Sequence, residues 1–262
     1  MRADQLLVQR GLAASRSQAQ RLIEAGVRKL TREGWKAVNK SDELFDDVEL
    51  ELLDAAEARY VSRGGLKLEG ALKLSDISVQ GKLCLDIGQS TGGFTDCLLQ
   101  QGASHVVGVD VGHAQLHASL RADERVTCLE RINARELNTI DLIALCADSM
   151  PATYHFSSKN TLFDLLVGDV SFISQTLLVP GFAKHLKANA ELLMLVKPQF
   201  ELQPGDLAKG GIVKDASLYA QVEQRIRASY VSHGFIIKNY FDSPIQGGDG
   251  NREFFVHAQR DS

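Results

Sequence analysis

The chain has 262 residues, 44% of them hydrophobic and 24% charged, with a formal net charge of −4. That length and balance fit one large globular domain with a small appendage, and exclude disordered, collagen-like and coiled-coil chains. No apolar run approaches the roughly 18 residues needed to span a bilayer, which excludes a membrane-spanning helix.

The charge is unevenly spread. Residues 1–40 carry nine bases against three acids, and residues 41–57 carry eight acids and no base. A basic block on a mildly acidic chain is the footprint of a nucleic-acid-binding appendage, and equally of a solvated helical face. The start, Met1-Arg2-Ala3-Asp4-Gln5, has no signal-peptide pattern. Cys84, Cys97, Cys128 and Cys146 are scattered and form no Cys-x-x-Cys pair. Both features predict a cytoplasmic protein with buried free thiols.

In chain order, residues 3–11 predict a short helix closed by Gly11, and Ser15 with Gln18 forms a capping box for a second helix ending at Gly26. Weak strands are expected near 37–38 and 48–52, the latter from its alternation. A unit over 1–57 results, followed by a linker at 58–61 and a larger domain over 62–262. In that domain Ser62-Arg63-Gly64-Gly65 leads into a helix. From Lys82 onward strand and helix alternate: strands near 82–87, 105–110, 126–130, 163–169, 190–197, 235–241 and 252–258, with helices near 93–101, 113–121, 134–144, 174–187 and 216–233. Alternation of this kind predicts a seven-stranded, mostly parallel α/β sheet covered on both faces. The last two strands lack a helix between them, so they predict a hairpin and one antiparallel strand.

The most informative stretch is Leu85-Asp86-Ile87-Gly88-Gln89-Ser90-Thr91-Gly92-Gly93-Phe94-Thr95. It reads as a strand, an acid, a glycine-rich turn and a helix; a second strand then ends on Asp110. Such a unit holds a nucleoside, with glycines allowing close backbone approach. The Gly-x-Gly-x-x-Gly of dinucleotide folds is absent. A phosphate-free, cationic cofactor, S-adenosylmethionine, fits better than NAD: Asp86 suits the cation and Asp110 the ribose hydroxyls. The plainer alternative makes Asp86 a turn cap and Asp110 a solvated strand end. Asn133 stands where an adenine edge would lie, or else forms a turn. Asp169 and Lys197 end parallel strands, Glu253 opens the last strand, and Lys67 precedes the first. All four are expected at the carboxyl edge of the sheet, where ligands bind.

Two resemblances follow. Arg2-x-Asp4-x-x-Leu7-Val8-x-x-Gly11-Leu12-x-x-Ser15-Arg16-x-x-Ala19-x-x-Leu22-Ile23-x-x-Gly26 resembles an S4 RNA-binding domain. The likeness fades at Arg28 to Trp35, where that family has a Val-Asn-Gly hairpin, and Trp35 receives no role. Beyond it, Ser62-Arg63-Gly64-Gly65-x-Lys67-Leu68, the Asp86 to Asp96 stretch, Gly108-Val109-Asp110-Val111-Gly112, Asp169-Val170-Ser171-Phe172-Ile173-Ser174, Val196-Lys197-Pro198-Gln199-Phe200-Glu201 and Gly250-Asn251-x-Glu253-Phe254 resemble the hemolysin-A (TlyA) family of ribosomal-RNA 2′-O-methyltransferases. The FtsJ-type RNA methyltransferases are more distantly similar.

The resemblance implies a Rossmann-like methyltransferase fold and a catalytic tetrad of Lys67, Asp169, Lys197 and Glu253. The chemistry of these residue types makes Lys197 the expected base and Asp169 its orienter, with Lys67, as a neighbouring cation, and Glu253 in support. The resemblance implies cofactor contacts from Asp86, Gly88, Ser90, Gly92, Gly93, Phe94, Asp110, Val111 and Asn133. RNA contacts are expected from Arg2, Arg16, Arg21 and Arg63, with ribosomal RNA or a ribosomal subunit as partner and no metal or membrane. Gln89 departs from the family's usual Ala, and residues 147–159 look like an insertion. The segment 58–61 is expected to couple RNA docking to cofactor binding. Competing readings are a non-catalytic RNA-binding protein, base methylation and membrane lysis.

Overall fold

Two sheets with separate cores organise the chain in the computed structural model, which describes residues 1–13, 15–53, 59–147, 162–247 and 250–262. The expected boundary at residue 57, the linker residue Ala58, and residues 148–159 of the insertion lie outside the described residues.

Near the N-terminus, α1 (Ala3–Gln9) and α2 (Arg16–Gly26) pack through buried Ala3, Leu6, Leu7, Ala19, Leu22 and Ile23. Ser15 Oγ accepts from Gln18 N at 3.2 Å, so the expected cap starts α2. These helices cover a small antiparallel sheet of β1 (Val27–Thr31), β2 (Gly34–Ala37) and β3 (Leu50–Leu52), in the order β2-β1-β3. The central strand β1 is absent from the sequence reading because its alternation is disguised. Lys29 takes an inward position beside Val27 and is matched there by Asp42 at 2.7 Å. The hairpin closes at Gly34, whose φ of +103° few other residues adopt.

Asp4 ties this unit together. Its side chain is fully covered by Arg2, Arg16 and Gln20, which all donate to it at 2.9–3.3 Å. The Gln20 hydrogen bond, with those from Arg2 and Arg16, holds its carboxyl well below the usual carboxylate range.

The larger sheet follows α3 (Gly64–Ser75). Its elements are β4 (Leu83–Ile87), α4 (Gly93–Gln100), β5 (His105–Asp110), α5 (Ala118–Arg121), β6 (Val126–Glu130), α6 (Thr139–Ala147), β7 (Phe163–Gly168), α7 (Val179–Phe182), β8 (Leu186–Val196), α8 (Pro198–Glu201), α9 (Leu218–Ser232), β9 (Phe235–Asp242) and β10 (Phe254–Arg260). The strand order is β6-β5-β4-β7-β8-β10-β9. Only β10 runs antiparallel, inserted between β8 and β9, as the missing helix predicted. One apolar cluster joins the sheet to α6, α7 and α9, and the other joins it to α3 and α4. Two expected helices are shorter. The 113–121 helix contracts to α5, and the 174–187 helix breaks into α7 between two 3₁₀ turns around Pro180-Gly181. All four cysteines are free, and three are buried.

Asp4→Asn sets amide hydrogens against three donors. It should destabilise the protein by about 1.5–3 kcal/mol, the usual worth of hydrogen bonds to a charged group. Denaturant melts of the two proteins check this, and an unchanged midpoint would show that Asp4 does not hold the N-terminal unit together.

Candidate active site

The site begins with two close backbone approaches. Gly88, at φ +84°, donates to Val109 O at 2.8 Å, and a Cβ there would stand 2.7 Å from the backbone oxygen of Asp169. The exits of β4 and β7 therefore touch. At Gly93 a Cβ would lie 2.1 Å from Ser62 Oγ and 2.9 Å from Gly65 N, so the start of α4 rests on the start of α3. The sequence reads these glycines as making room for a ligand. Both make room for chain while also lining a cavity, Gly93 the larger one and Gly88 both.

This packing delivers Lys67 of α3 to the carboxyl edge of the sheet. Its Nζ lies 2.5 Å from Glu253 Oε2, and the two side chains are only 9% and 4% exposed. Glu253 reaches the same edge because Phe254 of β10 pairs with Val196 of β8, which sets Glu253 beside Lys197. Lys197 Nζ lies 2.5 Å from Asp169 Oδ1 and donates to Ser171 Oγ at 2.9 Å. The Asp169 contact is an ion pair without hydrogen-bond alignment, since Oδ1 accepts no hydrogen bond. Each lysine is thus matched to its own carboxylate rather than to the other lysine. Burial raises the Glu253 carboxyl, and Lys67 opposes that rise.

Two cavities meet at these pairs. One, of about 610 Å³, is lined by Lys67, Asp169 and Lys197, with Ser62, Arg63, Gly93 and Phe94. Arg21 and Glu24 of α2 close its other side. Glu253 stands behind Lys67 and does not line it. The second, of about 340 Å³, has apolar walls from Ile87, Val109, Val111, Ile132 and Leu178, with Asp110 and Asn133. Gly88, Ser90, Asp169 and Ser171 line both, so the cavities are continuous.

The smaller cavity fits a nucleoside without phosphate. No Lys, Arg or His lines it among the described residues. Asp110 is fixed by Ser90 N at 2.7 Å on Oδ2 and by Gly112 N at 2.6 Å on Oδ1. Each oxygen keeps a lone pair for a sugar hydroxyl. Val111 presents an exposed apolar side chain to the slot. Asn133 also lines it, but its amide is engaged by Arg135 N and Glu136, so it serves as a turn former as well.

Asp86 is fully buried and lines neither cavity. Thr95 Oγ1 donates to its Oδ2 at 2.7 Å, and Gln89 Nε2 donates to Thr95 at 2.9 Å. Gln89 lies flat on Gly108, where a Cβ would stand 1.9 Å from its Cδ. Burial, helped by Asp169 and Asp110 and opposed by Thr95, pushes the Asp86 carboxyl up to about 7. Gly92 caps α4 away from both cavities. Among the expected RNA contacts, Arg21 and Arg63 reach the larger cavity, whereas Arg2 and Arg16 turn to Asp4.

Three residues were missed as site residues. Ser171 shares Lys197 with Asp169. Glu201 is buried and accepts from Ser174 Oγ at 2.5 Å and Gln175 N at 2.7 Å, stapling the loop after β7 to α8. Phe172 is 91% exposed at φ +64°, its ring 5.1 Å from that of Phe200. An apolar ring left in water on a left-handed backbone was the signal for Phe172, and it needs coordinates. For Glu201 the signal was an acid between the apolar residues Phe200 and Leu202.

The family model for FtsJ-like methyltransferases matches residues 60–260, and that for the S4 domain matches residues 1–26. The chain is 40% identical over 255 residues to the Mycobacterium tuberculosis 16S/23S rRNA (cytidine-2′-O)-methyltransferase TlyA, covering 97% of this chain and 88% of that one. It is 39% identical over 257 residues to Hemolysin A of Brachyspira hyodysenteriae, covering 98% and 99%. The solved structure of a Streptococcus thermophilus hemolysin superposes with a TM-score of 0.73 at 38% identity, covering 100% of this chain and 89% of that one. Among the described residues no helix is long and apolar enough to cross a membrane.

Asp86 gives a pH test. Its folded carboxyl titrates near 7, against about 3.9 when unfolded. Between those values the folded state holds a proton that the unfolded state has lost, so stability falls as pH rises from about 4 to about 7. Asp86→Asn should flatten that slope in denaturant melts across the range. An identical slope in both proteins would mean Asp86 is ionised throughout.

Proposed function

The chain belongs to the FtsJ-like methyltransferase family, in the group of TlyA and hemolysin A, and from that membership we propose that it methylates a ribose 2′-hydroxyl of ribosomal RNA using S-adenosylmethionine. The observation that carries the reading is the pair of lysine–carboxylate contacts at the junction of a phosphate-free nucleoside slot and a basic cavity.

When bound, S-adenosylmethionine supplies an electrophilic methyl group on a sulfonium. Asp110 would hold its ribose, and Val111, Ile132 and Asn133 its adenine. Gly88 and Ser90 line both cavities and would border the cofactor where the two join. Lys197 is the base that takes the proton of the 2′-hydroxyl at Nζ, a role that requires its own proton to leave the Asp169 ion pair first, while Asp169 and Ser171 fix that nitrogen in place. Lys67, anchored by Glu253, sets a fixed cation where negative charge grows on the attacking oxygen. Holding the hydroxyl in line is the larger contribution, because the methyl group arrives activated.

Residues 1–57 act as the RNA-binding unit, with 58–61 as linker. Support comes from α2, which lends Arg21 and Glu24 to the wall of the larger cavity. Gln18 Nε2 donates to Tyr60 O at 2.9 Å, and Val61 N donates to Asp96 of α4 at 2.8 Å. The linker thus touches α2 on one side and α4, whose first residues line the larger cavity, on the other. The M. tuberculosis relative's name makes cytidine the first nucleotide to test.

Lys197→Ala should lower transfer to separated ribosomal subunits by about 10²- to 10⁴-fold, the usual worth of a positioned base. Nucleoside mass spectrometry reads the product, and calorimetry should find S-adenosylmethionine still bound. Near-full transfer by the variant would remove Lys197 from the mechanism.

A further inference from the structure

Trp35 is the chain's single tryptophan, and the proposed site does not use it. It lies on β2, an edge strand of the small sheet, directly opposite Leu30 of β1. The two are 41% and 42% exposed. The period of two in a strand puts Arg28 and Ala37, the next pair in register, on this same outward face. Val27, Leu50 and Leu52 take the other face, against α1 and α2. An indole and a leucine are therefore held side by side on the face turned away from the core.

The polar surroundings say what covers them. Arg28 and Arg32 are exposed and enter no ion pair among the described residues, whereas Lys29 and Lys36 are matched by Asp42 and Glu33. The acids on this face belong to the far side of β1, where Glu51 stands opposite Arg28. The β1–β2 half thus carries an aromatic ring with Arg28 on the same face one pair along and Arg32 in the adjoining turn, neither of them in an ion pair among the described residues. A ring of this kind stacks on unpaired bases, and the arginines beside it reach the flanking phosphates.

We propose that the β1–β2 hairpin is a second RNA contact, separate from α2, in which Trp35 stacks on an unpaired base and Arg28 and Arg32 hold the adjoining phosphates. The inference rests on the RNA-methylating reading only in taking RNA as the ligand.

The single indole makes a direct test, since all tryptophan emission of the 262-residue chain comes from position 35. Titration with an unpaired RNA of about ten nucleotides, within the span single-strand binders cover, should quench that emission. A duplex of equal length should leave it nearly unchanged. With end-labelled RNA, Trp35→Ala should bind about 5- to 100-fold more weakly, and Trp35→Phe should restore most of the affinity. Arg28→Ala should reduce the salt dependence of binding by about one phosphate contact.

Tight RNA binding with unmoved emission and an unaffected Trp35→Ala variant would overturn this inference and leave the methyltransferase reading standing. Equal quenching by duplex would overturn the unpaired-base contact. An emission change that follows protein concentration without RNA, with dimers in sedimentation, would assign the face to a second copy of the chain. Failure to bind or methylate any RNA would overturn both readings.

Discussion

The ion pair between Lys67 and Glu253 is the constraint on which the rest of the site depends. It joins residues 186 positions apart, both almost wholly out of water. Taking two charges from water is costly, and removing one partner strands the other at several kcal/mol. Such a pair is a poor way to gain stability and a good way to fix position. It pins the first turns of α3 to the opening of β10, across the carboxyl edge of the sheet. The register of β10 then places Glu253 next to Lys197, so the second pair, with Asp169, forms beside the first.

Small side chains make that closure possible. Gly93 admits Ser62 and the backbone of Gly65, and Gly65 in turn admits the ring of Tyr60, where a Cβ would stand 2.3 Å from Cγ. Tyr60 O accepts from Gln18 of α2. A continuous line of contact therefore runs from α2 through the linker and α3 to the glycine turn that floors both cavities. Glu201 performs the matching service on the other side. Its carboxylate grips Ser174 and Gln175, so the segment carrying Asp169, Ser171 and Phe172 cannot drift from α8 and Lys197.

Much of this was legible in the sequence, because strand ends and turns have local signatures. Asp110, Asp169, Lys197 and Glu253 each sit at the end or start of an apolar run, and topology alone brings such positions to one edge. Other features depend on contacts distant in the chain. β1 was hidden because Lys29 points inward, and only Asp42 makes that tolerable. The expected 113–121 helix starts late because Asp110 captures Gly112 N and Ala114 adopts φ +55°. An acid before a glycine turn reads the same whether it faces the cavity or lies under the floor. For Asp86 the decision is made by Gln89, which spreads over Gly108 and covers Thr95 and the carboxylate.

Charge divides the two cavities by the kind of molecule each can hold. The smaller has carboxylates from Asp110 and Asp169 and no cation among its described lining residues. It repels phosphate and suits a cofactor that carries positive charge and none of the phosphates of a dinucleotide. Arg21, Arg63, Lys67 and Lys197 line the larger one, and an RNA backbone is drawn to that side. Asp169 lies on the boundary and belongs to both. A polyanion and a cation are thereby directed to opposite sides of one carboxylate, with Lys197 beside it. Methyl transfer needs that arrangement, since the nucleophile must approach the methyl group from the face opposite the sulfur. The N-terminal unit shares in this division, since Arg21 of α2 lines the larger cavity together with Arg63, Lys67 and Lys197.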